Sequence, residues 1–316
     1  PLRRMSFRPC GRGNRAPTPH VVSAMSKSRQ HFLWIALGVL CVTALAGILR
    51  FYRIDQLPPG LAYDEAWNDR QALRIIQGRT SPIYFVDEWG DVEEPLHIYL
   101  VAGLFALTGP LAIGGRVVSA ILGTLTILLL FFAVREMLRG LRADLTVPPD
   151  ILALLAAFIL ATLYWHVHYS RLGMEPPAVP TFATLTFWLL WRALNRDQWS
   201  AYGLAGAALG LSLYTHPSAR FLPIVVGAFF LWRWATNRTA LTRQVMQFAV
   251  LVVCAAIVYA PLGLYFTQHP DLFFYRAGQA SVATFKGPGP ILDNVLKALG
   301  GLVWRGDTNL RLNLPG

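Results

Sequence analysis

The chain has 316 residues, of which 54% are hydrophobic and only 14% charged, and its mean hydropathy is +0.43. Soluble domains carry about 25% charged residues, so an ordinary soluble enzyme, a disordered tail and a coiled coil are all excluded, and a polytopic, all-α membrane protein is expected. The net charge of +11 calls for no nucleic-acid partner, because Lys and Arg accumulate on the cytoplasmic side of membrane proteins. Cys10, Cys41 and Cys254 lie far apart and form no disulfide framework or zinc pattern.

Residues 1–30 contain seven Lys or Arg and no acidic residue, and read as a solvated, basic cytoplasmic tail with Met5 and Met25 as candidate starts. The run 31–49 has no Asp, Glu, Lys or Arg and is long enough to span a bilayer. Its basic flank and the small residues Ala44 and Ala46 also allow a cleaved signal peptide; the apolar runs that follow favour a span, and both readings leave the N-terminus inside. Further apolar runs lie near 95–109, 117–134, 151–169, 177–191, 199–215, 221–235 and 245–266.

The basic clusters fall in 135–144, 192–197 and 233–243. They share a side with the basic tail only if the run 95–109 does not cross. That run is short and bracketed by Pro95 and by Gly109 and Pro110, so it is expected to lie in the outer interface. About seven transmembrane helices follow, with interfacial helices in a long first outer loop. The span 221–235 is the weakest, since Arg233 interrupts it and must snorkel. The organisation expected is a tail over 1–30, a transmembrane core over 31–266 with an outer catalytic loop at 50–116, and a second outer loop from 267, cut short at Gly316. Apolar stretches at Ala72–Ile76 and Ile291–Leu302 suit interfacial helices.

Candidate chemistry gathers on the expected outer side. The loop 50–94 holds nine of the 17 acidic residues. Asp64 and Glu65 follow the stiff Pro58-Pro59-Gly60 step, and Glu93 and Glu94 return just before Pro95. Acids in a water-facing loop need no function, but two acidic pairs bracketing one loop near low dielectric suit a general base. Arg171 and Glu175 lie between the third and fourth spans at a spacing that allows a helical ion pair. Tyr214-Thr215-His216-Pro217-Ser218-Ala219-Arg220 lies between the fifth and sixth. Arg171 and Arg220 are candidates to meet an anionic lipid phosphate; each also suits an interfacial anchor.

Other signals carry less. His166 and His168 are two apart and do not share a helix face, so chelation is not expected. Asn237-Arg238-Thr239 is a glycosylation sequon on an expected cytoplasmic loop. There is no Walker loop, no GxGxxG and no Asp-x-Asp signature, so any transferase here is expected to use a donor other than a soluble nucleotide sugar.

In their order and sides, LPPGLAYDEAWNDRQALRIIQG (57–78), EEPLHIYLVAGLFALTG (93–109), GRVVSAILGTLTILLLF (115–131), YSRLGMEPP (169–177) and LGLSLYTHPSAR (209–220) resemble the GT-C superfamily of membrane glycosyltransferases. The family 39 type, which includes protein O-mannosyltransferases and lipid A aminoarabinose transferases, is the most similar. GDTNLRLNLPG (306–316) is similar to the outer loop after span seven in bacterial members. The resemblance covers roughly 31–316 and implies the N-terminal portion of a longer, bacterial inner-membrane enzyme with a cytoplasmic N-terminus.

It further implies a polyprenyl-phosphate-sugar donor, transfer on the outer face, and a protein, lipid or glycan acceptor. Asp64 then matches the family's base, with Glu65 next to it, and Glu93 and Glu175 match its further acids. The chain departs from the pattern at Glu94, where some members have Lys, at Leu96 in place of a second Pro, and at Leu312 in Arg311-Leu312-Asn313, where many have His. These departures leave donor-phosphate binding and a divalent metal cofactor open. The competing readings are a polyprenyl-linked glycan transporter or flippase and a non-catalytic membrane scaffold. A transporter more often places ionisable groups mid-span, and these spans are nearly free of charge.

Overall fold

The computed structural model describes residues 19–88, 90–141, 145–275 and 296. The stretches Ile291–Leu302 and GDTNLRLNLPG, with Arg311, Leu312 and Asn313, lie outside the described residues.

The described chain is helical apart from one short hairpin. Its elements are α1 Pro19–Phe51, α2 Tyr63–Ile76, β1 Phe85–Val86, β2 Val92–Glu93, α3 Leu96–Thr108, α4 Gly114–Gly140, α5 Pro149–Thr162, α6 Tyr164–Tyr169, α7 Ala178–Arg196, α8 Trp199–Ser212, α9 Leu222–Thr236 and α10 Leu241–Gln268. A 3-10 turn, Pro217–Phe221, leads into α9. The two strands pair antiparallel, Phe85 opposite Glu93 and Val86 opposite Val92.

Contacts between loops define two ends. At one end, Arg171, beyond α6, donates to the carbonyls of Leu49 and Tyr52 near the end of α1. The Gly115 amide at the start of α4 donates to Asp69 of α2 at 2.7 Å, and the Leu96 amide to the Tyr214 carbonyl at 3.0 Å. At the other end, Asp150 of α5 meets Arg135 and Arg139 of α4 and His31 of α1. There Asn195 of α7 donates to the Glu136 carbonyl, and Arg243 of α10 meets Asp197. Among the described residues the chain therefore runs the length of the bundle seven times, in α1, α4, α5 with α6, α7, α8, α9 and α10. α3 is no such pass. It starts beside Tyr214 and ends beside Gly114, where the Phe105 ring occupies the place a Cβ would take.

Arg29–Phe51, Gly114–Gly140 and Leu241–Gln268 are each long and apolar enough to cross a membrane. Trp34, Leu231 and Ile257 are more than 60% exposed on the outside of the bundle. A soluble fold would bury them, and a bilayer makes that exposure favourable. The tightest helix pair is α8 on α10. A Cβ on Gly206 would stand 2.1 Å from the Leu251 carbonyl oxygen, and one on Gly210 2.6 Å from that of Ala255. This is the small-xxx-small spacing that lets helix backbones touch in lipid. Pro261 interrupts the ladder of α10. The Tyr214 hydroxyl bridges the break, donating to the Val258 carbonyl and accepting from the Leu262 amide.

Several expectations are corrected. Residues 19–30 are helical and continuous with the apolar run that follows in α1. The run 151–169 is broken at Leu163, whose backbone is extended. Arg50 stabilises the break by donating to the Ala161 carbonyl at the end of α5 and by bonding His166 in α6. Residues 170–177 form turns, so Arg171 and Glu175 do not share a helix.

Candidate active site

α2 begins at Tyr63 after the extended Ala62, which has no side chain able to cap the helix. Glu65, the third helical residue, reaches back and accepts the Ala62 amide at 2.8 Å, the returning half of a capping box. The same carboxylate accepts Arg116 Nε at 2.8 Å and Nη2 at 3.0 Å, and the Gly173 amide at 2.7 Å. It is 2% exposed. Burial alone would raise its pKa; the Arg116 hydrogen bond, the two amides and the guanidinium charge together hold it below the usual carboxylate range. Glu65 therefore faces into the fold.

Asp64 precedes it by about 100° around the helix and faces a cleft of about 640 Å3. Tyr63 and Trp67 of α2, Asp87, Asp91 and Glu93 of the hairpin, Met174, Glu175 and Pro176 before α7, and His216 and Pro217 after α8 complete the lining. Four separate chain segments thus meet here. The hairpin is seated by the edge of Phe85 against Trp67, ring centroids 6.0 Å apart. Its turn is closed by the Asp87 side chain accepting the Asp91 amide, with Gly90 at φ +81, a conformation that costs glycine little.

Of the sequence candidates, Asp64, Glu93 and Glu175 share this cleft. Glu65 does not line it. Glu94, 1% exposed, pairs with Arg220 at 3.1 Å. Arg220 also donates to the Phe273 carbonyl at 2.5 Å and lies 4.3 Å from the Phe273 ring centroid and 5.4 Å from that of Phe266. Arg171 donates to the carbonyls of Leu49, Arg50, Tyr52 and Leu57 and so clamps the loop after α1. Among the described residues that line the cleft there is no Lys or Arg. Asp87 and Asp91 were not singled out in the sequence, although the acid density of 87–94 was a signal. Arg116 gave no signal, because an Arg opening an apolar run reads as an anchor.

Among the described residues, no three His, Cys, Asp or Glu side chains are placed to hold a metal ion, and no step below is routed through one. The arrangement suits proton acceptance by a carboxylate at the rim of a membrane-embedded bundle.

Fold and cleft together define a polytopic membrane protein with an acidic cleft at one end of its helices. Residues 92–265, more than half of the chain, match the family described as dolichyl-phosphate-mannose-protein mannosyltransferase. The chain belongs to that family, which is the GT-C family 39 type that its sequence resembles. In fold it is similar to the S. cerevisiae protein O-mannosyltransferase Pmt1-Pmt2 complex bound to the sugar donor, with a TM-score of 0.56 and 20% identity over 75% of this chain and 34% of that one. It spans about a third of the length of that chain. No curated protein matches it.

Proposed function

We propose that the cleft is the transfer site of a membrane glycosyltransferase that moves a sugar from a polyprenyl-phosphate donor to an acceptor hydroxyl on the outer face, with Asp64 as the general base. The observation that carries this reading is the convergence of Asp64, Glu93 and Glu175, from three separate segments, on one cleft. Asp64 takes the acceptor's hydroxyl proton, and the acceptor oxygen forms the new bond to the anomeric carbon. The bond from that carbon to the phosphate oxygen breaks, and the polyprenyl phosphate leaves with the electron pair. A donor arriving laterally in the bilayer brings its phosphate to the interface. The N-terminal turn of α2 opens onto the cleft and favours negative charge there. Glu93 and Glu175 orient the acceptor.

The test is sugar transfer by membranes carrying the full-length protein, with polyprenyl-phosphate-mannose as the probe donor and release of polyprenyl phosphate as the readout. Transfer by wild type, lost in Asp64→Asn while donor binding persists, is the expected result. Full transfer by Asp64→Asn moves the base elsewhere, and no donor consumption by wild type removes the reading.

A further inference from the structure

We infer that Arg116 is a positioning residue which, through Glu65 and Gly173, fixes the two walls of the cleft that carry Asp64 and Glu175. The inference rests on the transfer reading for its kinetic consequences, though not for its geometry. Arg116 is 1% exposed at the start of α4. Its guanidinium binds both oxygens of Glu65 and donates to the carbonyls of Ile54, Pro58 and Gly60. One cation thus gathers the loop after α1, the first turn of α2 and the top of α4. Glu65 passes the connection on, since the oxygen that accepts Arg116 Nε also accepts the Gly173 amide.

Asp64 is the neighbour of Glu65, and Glu175 lies two residues after Gly173. The two cleft carboxylates are therefore each one or two peptide units from the same hydrogen-bonded centre. Backbone contact tightens it further. A Cβ on Gly173 would stand 3.1 Å from the Arg116 nitrogen and 3.1 Å from the Gly115 carbonyl carbon. The Ser119 hydroxyl donates to the Met174 carbonyl at 3.0 Å and Asn68 to the Gly173 carbonyl at 3.4 Å, holding the same turn from α4 and from α2. This arrangement also gives Glu65 a role distinct from the chemistry of the cleft.

Gly173→Ala is the sharpest variant. It removes no charge and no cleft-lining group, yet its neighbours must give by a few tenths of an ångström. In full-length protein we expect kcat to fall on the order of 10–100-fold, since small misplacements of reacting groups carry such effects, with binding of polyprenyl-phosphate-mannose unchanged. Glu65→Gln, with the charge partner of Arg116 gone, is expected to lower kcat further, and Arg116→Lys to restore part of what Arg116→Ala loses. A second readout needs no turnover. Tyr63→Cys with Met174→Cys, in an otherwise cysteine-free background, is joined by a short bis-maleimide, and the rate reports the gap between the two walls. That rate is expected to change in Gly173→Ala and in Glu65→Gln.

Wild-type kcat and an unchanged cross-linking rate in Gly173→Ala overturn the inference. So does collapse of turnover in Glu65→Gln while Gly173→Ala behaves as wild type, which would make Glu65 itself the base. If wild type consumes no donor, the transfer reading fails, and cross-linking alone decides whether the walls are tied. Should Glu65→Gln fail to fold, Gly173→Ala, which keeps the ion pair, carries the test.

Discussion

The two ends of the bundle treat charge differently. At the far end, partly exposed arginines from neighbouring segments meet carboxylates, of which Asp150 and Glu136 are themselves buried and Asp197 is exposed. Asp150 meets Arg135 at 2.5 Å and Arg139 at 3.1 Å, Glu136 meets Arg196 at 3.6 Å, and Asp197 meets Arg243 at 2.5 Å. At the cleft end, Arg116 is buried against Glu65, Arg171 is bound to backbone carbonyls, and Arg220 is held by Glu94 and two aromatic rings. The cleft lining itself carries five carboxylates, those of Asp64, Asp87, Asp91, Glu93 and Glu175. One end uses ion pairs with partly exposed arginines to join neighbouring segments. The other assigns its cations to the scaffold and leaves acid in the cavity, where proton acceptance is the available chemistry.

The largest expected effect breaks this contrast directly. Asp64→Asn keeps size and polarity but cannot take a proton, and loss of a general base costs about 10²–10⁴-fold in rate. Asp150→Asn at the far end leaves turnover at the wild-type level. Equal losses of transfer activity in the two variants would erase the distinction between the ends.

Next in size is the effect on stability. Arg116→Ala leaves Glu65 buried without its cation, which costs about 3–5 kcal/mol. Arg135→Ala removes a side chain that is 26% exposed and leaves Arg139 on Asp150, so a loss of about 1 kcal/mol or less is expected. Detergent-solubilised unfolding of both variants measures the difference, and similar midpoints would mean that Arg116 is no more structural than Arg135. A smaller effect is expected for Glu93→Ala and Glu175→Ala. Each should lower turnover roughly tenfold if it orients the acceptor, and wild-type rates in both would remove them from the site.

The bundle was largely legible in the sequence. Hydropathy runs gave the passes, and the placing of Arg135, Arg139, Arg192 and Arg196 with the tail required that 95–109 stay on one side, as α3 does. The break at Leu163 was not legible, because it depends on Arg50, a residue more than a hundred positions away that takes the Ala161 carbonyl. Within the site, the acidic segments were found but their division of labour was not. Adjacent Asp64 and Glu65 look equivalent in a loop. On a helix they point about 100° apart, one toward the cleft and one toward Arg116. The buried face of Glu65, Asn68 and Ala72 has helical spacing, and the helix opens at Tyr63, after Ala62, whose side chain cannot cap it.

The smallest effect separates two carboxylates on this one helix. Glu65 and Asp69 are one turn apart, and their environments act in opposite directions. The pKa of Glu65 is held low, so its contribution to stability is present above its unfolded pKa and is lost as the pH falls through the folded value. Asp69 is raised to about 6, first by burial and then by the Glu65 charge, against the opposing Gly115 amide. A raised carboxyl favours the folded state while protonated, so this contribution is full below the unfolded pKa and is lost as the pH rises through about 6. Asp69→Asn keeps an oxygen for the Gly115 amide and carries no charge. Its apparent Tm should therefore exceed that of wild type at about pH 8 and converge with it near pH 4. Glu65→Gln should show the reverse, a deficit at about pH 8 that narrows on acidification. An Asp69→Asn protein less stable than wild type at the higher pH would show that the Asp69 charge supports the fold, and that the acids of α2 differ less than their surroundings require.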